Sequence, residues 1–334
     1  MRVIIPMAGK GSRLRPHTLT IPKPLISVAG KPIVQRLVED FAESFNGEIT
    51  EVAFIIGDFG SEVEQQLHNI AASIGAASSI YKQDQPLGIA HAIGCAAPSL
   101  EGNTIVAFAD TLFRANFKFN RKEDGIIWTQ KVENPAAFGV VKIDQENYIT
   151  QFVEKPQTFV SNLAIVGIYY FNDGAHLRSE IEHLIANDIK LRGEYQLTSV
   201  LENMKDKGTR FRTAQIDEWI DCGNKEAVVH ANKRMLDIKK HEAMIAATAK
   251  MRSSVIIQPC FVGENVTIID SIVGPYVSIG KNTVIEHSVI DNSVIGEETV
   301  IKDSNLSDSM IGNYVEYIGR TSELSISDYS KFAT

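Results

Sequence analysis

Between residues 273 and 317 apolar residues recur at Val273, Ile279, Ile285, Ile290, Ile295, Ile301, Leu306, Ile311 and Tyr317. The spacing is five or six residues, which fits neither the 3.6 period of a helix nor the alternation of an ordinary strand. Small or β-branched residues sit two positions earlier, at Val277, Thr283, Ser288, Ser293, Thr299, Ser304 and Ser309. A short repeat rich in Ile, Val and Gly predicts a β-solenoid whose coils stack their apolar residues inside. This last quarter of the chain, 253–334, therefore reads as a repeat domain. It is preceded by a helical linker over 226–252 and a separate domain over 1–225.

The first 110 residues alternate apolar runs with helical patterns. Val3–Ile5, Val52–Ile56, Ser79–Tyr81 and Thr104–Phe108 read as strands, and Ile33–Phe45, Ser61–Ile74 and Gly88–Ala97 as helices. Further strand-like runs follow at Gly125–Lys131, Phe138–Ile143 and Ile149–Val153. The fold class expected is α/β: a Rossmann-like, mixed but mainly parallel sheet with helices on both faces. Ligands of such sheets bind beyond the carboxyl ends of the strands, where residues 8–24 and Asp110 would lie.

Between the first strand and the first helix runs a long glycine-rich, basic loop: Ala8-Gly9-Lys10-Gly11-Ser12-Arg13-Leu14-Arg15-Pro16, then Pro22-Lys23-Pro24-Leu25 and Gly30-Lys31-Pro32. Glycines let the backbone approach an anion, and arginine grips phosphate oxygens in a fork. The dinucleotide fingerprint would need a third glycine where Leu14 stands, and no Gly-Lys-Ser/Thr follows at Walker spacing. The pattern points to a polyphosphate held in some other way.

Composition excludes several classes. The formal net charge of the 334 residues is −8 with no basic block, so nucleic acid is not an expected partner. Three scattered cysteines, Cys95, Cys222 and Cys260, suggest neither a disulfide framework nor a metal cluster. No apolar stretch approaches a membrane span or a signal peptide, so a cytoplasmic protein is expected.

The motif Gly9-x-Gly11-x-Arg13-Leu14-x-Pro16 with Pro22-Lys23-Pro24-Leu25 and Gly30-Lys31-Pro32 resembles the signature of the sugar-1-phosphate nucleotidyltransferases, and the repeat resembles the left-handed β-helix that follows the catalytic domain in part of that family. The resemblance implies that Ala8, Gly9 and Gly11 bind the nucleoside triphosphate and that Arg13 and Lys23 contact its phosphates. Leu87-Gly88-x-Ala90 matches the base-binding loop, with Gln83 in the position of a pyrimidine-reading glutamine. A glutamine amide carries both donor and acceptor, as the edge of uracil or thymine requires. Pro24 departs from the glutamine of many thymidylyl members, which leaves dTTP and UTP both open. Gly139, Glu154, Lys155 and Asn162 match positions on the sugar-phosphate side. Asp110 and Asp221 match the two aspartates that hold Mg²⁺, with Ala109 where a glycine is usual. The Gln196 and Thr198 match is left outside the site, as ordinary helix-start residues.

The implied reaction joins a sugar 1-phosphate, glucose 1-phosphate being the first expectation, to dTTP or UTP with release of pyrophosphate. The alternatives are a mannose-1-phosphate guanylyltransferase, a bifunctional enzyme with an acyltransferase in the repeat, and a non-catalytic sugar-nucleotide sensor. An acyltransferase of this kind commonly needs a histidine base, and His287 is the only histidine after His241. Retention of the charged site residues argues against a sensor. The repeat is expected to serve assembly into a homo-oligomer.

Overall fold

A computed structural model describes residues 1–114, 119–319 and 324–333. Two compact units emerge, and each draws on two stretches of chain: Met1–Gly9 with Leu37–Trp219, and Lys10–Arg36 with residues from Ile220 onward. Among the described residues no helix is long and apolar enough to cross a membrane.

In the first unit the central sheet runs in the order Ile149–Glu154, Gly139–Ile143, Leu163–Phe171, Thr104–Ala107, Arg2–Pro6, Glu51–Ile56, Ala77–Lys82. Arg2–Pro6 is parallel to both its neighbours, and Glu51–Ile56 is parallel to Ala77–Lys82. Leu163–Phe171 runs antiparallel to Thr104–Ala107, which makes the sheet mixed. One face packs Ile4, Ala53, Ile55, Val106 and Tyr169 against helical residues such as Ala90, Ile93, Leu177, Ile181 and Leu201. Val3, Ile5, Val52 and Phe54, which alternate with them, are equally buried. Burial on both faces explains why these strands read as continuous apolar runs rather than alternating ones.

The chain lays down Arg2–Pro6, Glu51–Ile56 and Ala77–Lys82 on one side, then returns to put Thr104–Ala107 on the other side of Arg2–Pro6. That reversal is a topological switch point, and the crevice outside the carboxyl ends of the two strands is where such sheets bind ligands. Ala8 and Gly9 follow one of the strands and Asp110 follows the other.

The second unit holds the left-handed β-helix that the repeat predicted. Three parallel sheets stack coil on coil, with registers such as Thr267↔Val284↔Val300↔Glu316 and Ser278↔Val294↔Met310↔Ser325. The interior is a column of Val262, Ile279, Ile295 and Ile311 beside Ile268, Ile285, Ile301 and Tyr317. The small residues that precede the core positions also have a structural task. Ser288 Oγ accepts from Ser304 N–H at 3.2 Å and Ser271 Oγ from Ser288 N–H at 3.0 Å. Thr283 and Thr299 form a second such ladder at another corner. Each coil turns through left-handed backbone at residues such as Asp270, Asn282, His287, Asn292, Asp303 and Asp308. Asn and Asp dominate that set because they tolerate this conformation better than other side-chain-bearing residues.

Helix in the linker expected over 226–252 stops at Ile238. Beyond it Val262 N–H donates to Met244 O and Ala246 N–H to Val262 O, both at 2.8 Å, so these residues already belong to the first coil. The same unit contains the helix Lys225–Ile238 and the loop 10–36. Asn232, fully buried, accepts from Ala29 N–H at 2.9 Å and Ser278 Oγ at 2.6 Å and donates to Tyr276 O at 3.1 Å. Its amide thus ties helix, loop and solenoid together, and every contact is a satisfied one.

Candidate active site

At the carboxyl edge of the first unit's sheet, a side chain added at Gly9 would meet nothing within 4 Å, so the space beside the backbone is open. Asp110 is half-buried, and its Oδ1 lies 3.4 Å from Thr111 Oγ1. Gln83 follows the strand Ala77–Lys82 at the same edge. Its Nε2 donates to Gly88 O at 3.1 Å and sits 3.1 Å from His91 Nδ1. Burial lowers the His91 pKa, which favours the neutral ring that can accept this bond. Both amide hydrogens of Gln83 are therefore engaged, and Oε1 is the atom available to a base. That narrows the expected donor-and-acceptor pair to an acceptor. Gly88 has φ +113, and a Cβ there would fall 2.6 Å from Tyr195 O, so only glycine fits.

A second group in this unit gathers around Glu154. A Cβ on Gly139 would lie 3.2 Å from Glu154 Oε2 and 3.2 Å from Thr198 Cγ2. Thr198 Oγ1 donates to Glu154 Oε2 at 3.1 Å, and Lys155 Nζ lies 3.9 Å from Glu154 Oε1. Burial, with the Glu154 charge as a lesser cause, pushes the Tyr169 phenol far above its usual range, so it stays protonated. Glu154, Thr198, Phe152, Leu191 and Glu202 line a cavity of about 300 Å³. Lys155 is held in left-handed backbone (φ 42), its N–H on Phe138 O at 3.1 Å and its carbonyl accepting from Arg192 Nη2 at 2.9 Å. A lysine in that conformation is strained, and the strain sits beside the cavity wall. Asn162 is exposed, and its carbonyl accepts from Val132 N–H.

Sequence reasoning passed over two residues here. Thr198 was read as a helix-start residue, yet it orients Glu154. Trp219 packs on Phe138 with ring centres 5.1 Å apart, and its buried Nε1 has no hydrogen-bond partner among the described residues. The contacts that give these residues a role, Thr198 with Glu154 and Trp219 with Phe138, join positions remote in the chain.

In the second unit the loop is shaped around Gly11, whose φ is +58 and whose missing side chain leaves room for Lys23 Cβ, 2.9 Å from a Cβ placed there. Lys23 is buried, so its charge is held in an enclosed setting. Arg13 and Asp221 meet over Gly223. A Cβ on that glycine would lie 2.9 Å from Asp221 Oδ2 and 3.2 Å from Arg13 Nη1. Arg13 and Asp221, each expected in the site on separate grounds and 208 residues apart in the chain, thus lie at one spot. His287 stands between coils, Nδ1 3.4 Å from Asp303 Oδ1 and Nε2 3.6 Å from Asp270 Oδ2. Both ring nitrogens face carboxylates of adjacent coils, which suits a structural role at a corner rather than a catalytic base.

Among the described residues no group of three or more His, Cys, Asp or Glu side chains gathers into a metal cage. Asp110 belongs to the first unit and Asp221 to the second, and each is a single carboxylate of the kind that Mg²⁺ takes, one or two at a time, with phosphate oxygens and water completing its shell.

The sequence profile of the nucleotidyl transferase family matches residues 2–238, and that of the GlmU-like C-terminal hexapeptide matches residues 239–317. The chain is 30% identical over 318 residues to a glucose-1-phosphate thymidylyltransferase of Streptomyces antibioticus, spanning 88% of this chain and 86% of that one. It is 31% identical over 318 residues to the low-salt glycan biosynthesis nucleotidyltransferase of Haloferax volcanii, spanning 88% and 87%. A Bacillus anthracis crystal structure, assigned as a glucose-1-phosphate thymidylyltransferase in complex with sucrose, superposes with a TM-score of 0.59 at 26% identity over 70% of this chain and 94% of that one. A phosphate-type loop after the first strand, a carboxylate at the switch point and a Glu-Lys pair beside a cavity stand in a chain matched over most of its length; it belongs to the nucleotidyl transferase family and is a sugar-1-phosphate nucleotidyltransferase with a C-terminal hexapeptide-repeat domain.

Proposed function

We propose that the enzyme joins glucose 1-phosphate, or a close relative of it, to dTTP or UTP. The observation that carries this reading is Gln83, whose amide is turned by Gly88 and His91 so that Oε1 can accept from the N3–H of thymine or uracil. The names of the relatives above point the same way for the sugar.

An oxygen of the sugar phosphate attacks the α-phosphorus. The bond from that phosphorus to its bridging oxygen breaks, and pyrophosphate leaves with the electron pair. No general base is needed, because the attacking phosphate is ionised at neutral pH. Ala8, Gly9 and Gly11 receive the triphosphate, and Arg13 and Lys23 neutralise charge that builds on its phosphates. Lys155 holds the sugar phosphate. Glu154, oriented by Thr198, accepts from sugar hydroxyls, Gly139 leaves them room, and the indole N–H of Trp219 is a further donor to a sugar oxygen. Asn162 adds a further polar side chain on the sugar side. When bound by Asp110 and Asp221, Mg²⁺ supplies charge neutralisation at phosphate oxygens.

The compartment we read as cytoplasmic, from three cysteines that form no disulfide. The assembly we read as a homo-oligomer, with a second copy of the chain on one face of the β-helix. One face is covered by the chain's own Asn232 and loop residues, and another carries ion pairs such as Lys302–Glu286 and Lys331–Glu316. The remaining face presents Val255, Ile272 and Val289 in register, 56%, 42% and 43% exposed. Light scattering on a Val255→Asn, Ile272→Asn, Val289→Asn variant should report smaller particles.

Pyrophosphate release measured across four nucleoside triphosphates and a panel of sugar 1-phosphates tests the reaction. Glucose 1-phosphate with dTTP or UTP should lead. GTP with mannose 1-phosphate in first place would overturn the specificity while leaving the reaction class intact.

A further inference from the structure

We propose that the last described coil of the β-helix holds the phosphate loop in its working shape, with Ser325, Ser327 and Asp328 as positioning residues for the transferase. The proposal rests on the reading of residues 9–24 as the triphosphate loop.

Three side chains from four consecutive positions grip one short segment of that loop. Ser325 Oγ lies 3.1 Å from His17 Nε2, Ser327 Oγ donates to Pro16 O at 3.2 Å, and Thr20 Oγ1 donates to Asp328 Oδ2 at 2.5 Å. The loop has little regular structure of its own to fix this segment. Its regular structure consists of one-turn 3₁₀ helices, Ser12–Leu14, His17–Leu19 and Lys23–Leu25, and single turns are marginal without outside support. His17 is only 4% exposed, and a buried imidazole without a partner is costly, so the Ser325 contact favours one placement of the ring.

The clamp itself is anchored. Asp328 Oδ1 accepts from Asn313 N–H of the preceding coil at 2.6 Å. Ile326 stacks in register on Ile311 inside the solenoid. Constraint then passes inward along the loop, because Thr18 Oγ1 donates to Gly11 O at 2.8 Å. Arg13 lies between the gripped segment and Gly11, so a loosened clamp should misplace its guanidinium. The competing explanation is that these contacts merely seal the open end of the solenoid.

The test uses the full chain with Thr20→Val, Ser325→Ala and Ser327→Ala combined, which removes three hydroxyls and leaves the Asp328–Asn313 bond in place. Hydrogen exchange of residues 10–24 should quicken by about tenfold while residues 278–311 keep their protection. The KM for the triphosphate should rise by about fivefold or more, with the KM for the sugar 1-phosphate within about twofold of the parent value. Thr20→Ser, which keeps the hydroxyl, should behave as the parent in both measurements. Unchanged exchange over 10–24 would overturn the clamp. Faster exchange with both KM values unmoved, or moved alike, would reduce the contact to an end seal. Should the parent protein turn over no triphosphate with any sugar 1-phosphate, the functional reading fails separately, and the exchange data still decide whether the coil holds the loop.

Discussion

The ring of Phe261, in the first coils of the β-helix, fills the space that a side chain on Gly30 would need. Gly30 also has φ +85, so an alanine there meets both left-handed backbone strain and a ring that cannot be passed. Gly30→Ala should cost about 3 kcal/mol or more, summing backbone strain and overpacking. Urea unfolding gives the number. A loss below about 1 kcal/mol would mean that the hairpin formed by the antiparallel strands Ser27–Val28 and Lys31–Pro32 shifts freely away from the solenoid.

His17 should make stability fall on acidification. Burial is the main cause of its pKa of about 4, with the Lys225 charge adding and the Asp328 charge opposing. Between the unfolded value near 6.5 and that folded value, the unfolded chain carries the proton and the native chain does not. Stability is therefore fully present above the unfolded pKa and declines as pH drops through the window, by about 3 kcal/mol in all. A His17→Gln protein should lack this part of the slope. Parallel pH–stability curves for the two proteins would exclude His17 as its source.

Lys155 should separate strain from function. Its left-handed backbone costs a side-chain-bearing residue roughly 1–2 kcal/mol. Lys155→Gly should melt no lower than the parent yet lose sugar 1-phosphate affinity by a factor of about ten or more, with triphosphate affinity nearly unchanged. Calorimetry of each ligand checks the split, and equal weakening of both would remove Lys155 from the sugar-phosphate side.

Asp110→Asn and Asp221→Asn keep shape and remove charge. Each should lose most turnover at low Mg²⁺ and regain part of it in excess metal. If one ion serves both residues the double variant should be little worse than the poorer single one, and if it does not the two losses should add. Turnover against Mg²⁺, read beside melting temperature, distinguishes this from two unrelated turn residues. Unaltered metal dependence in an Asp221→Asn protein that melts early would take Asp221 out of the site.

Gln83→Ala should lower kcat/KM for the preferred pyrimidine nucleotide by about 1–3 kcal/mol, the scale of a buried polar group left unpaired. His91→Phe should reproduce part of that loss, because it frees the amide that His91 and Gly88 orient. A His91→Phe protein with undiminished nucleotide preference would argue that the amide needs no orienting partner.

Much of this architecture was legible from spacing alone. A coil of the β-helix repeats its inward positions every five or six residues, and that is a local property of the chain, so Ile279, Ile285 and Ile290 announce their own burial. Strands buried on both faces announce themselves as unbroken apolar runs, as Val52–Ile56 does. The glycine loop and the Glu154-Lys155 pair stand out as candidates in the sequence because their chemistry is carried by neighbours in the chain. Helix over the whole of 226–252 is not found, for a reason of the opposite kind. Its propensity continues past Ile238, but Met244 and Ala246 find backbone partners in Val262 that no local pattern discloses.

The pairings that shape the site belong to the folded chain only. Thr198 reaches Glu154 across 44 positions, Asn232 reaches Ala29 across 203, and Ser325 reaches His17 across 308. Residue type and spacing encode which side chains turn inward within one element. They carry no record of which distant elements then meet. That is settled when burial of the solenoid face, the helix Lys225–Ile238 and the loop removes water as an alternative, so that polar groups such as the Asn232 amide bond to whatever the fold brings within reach.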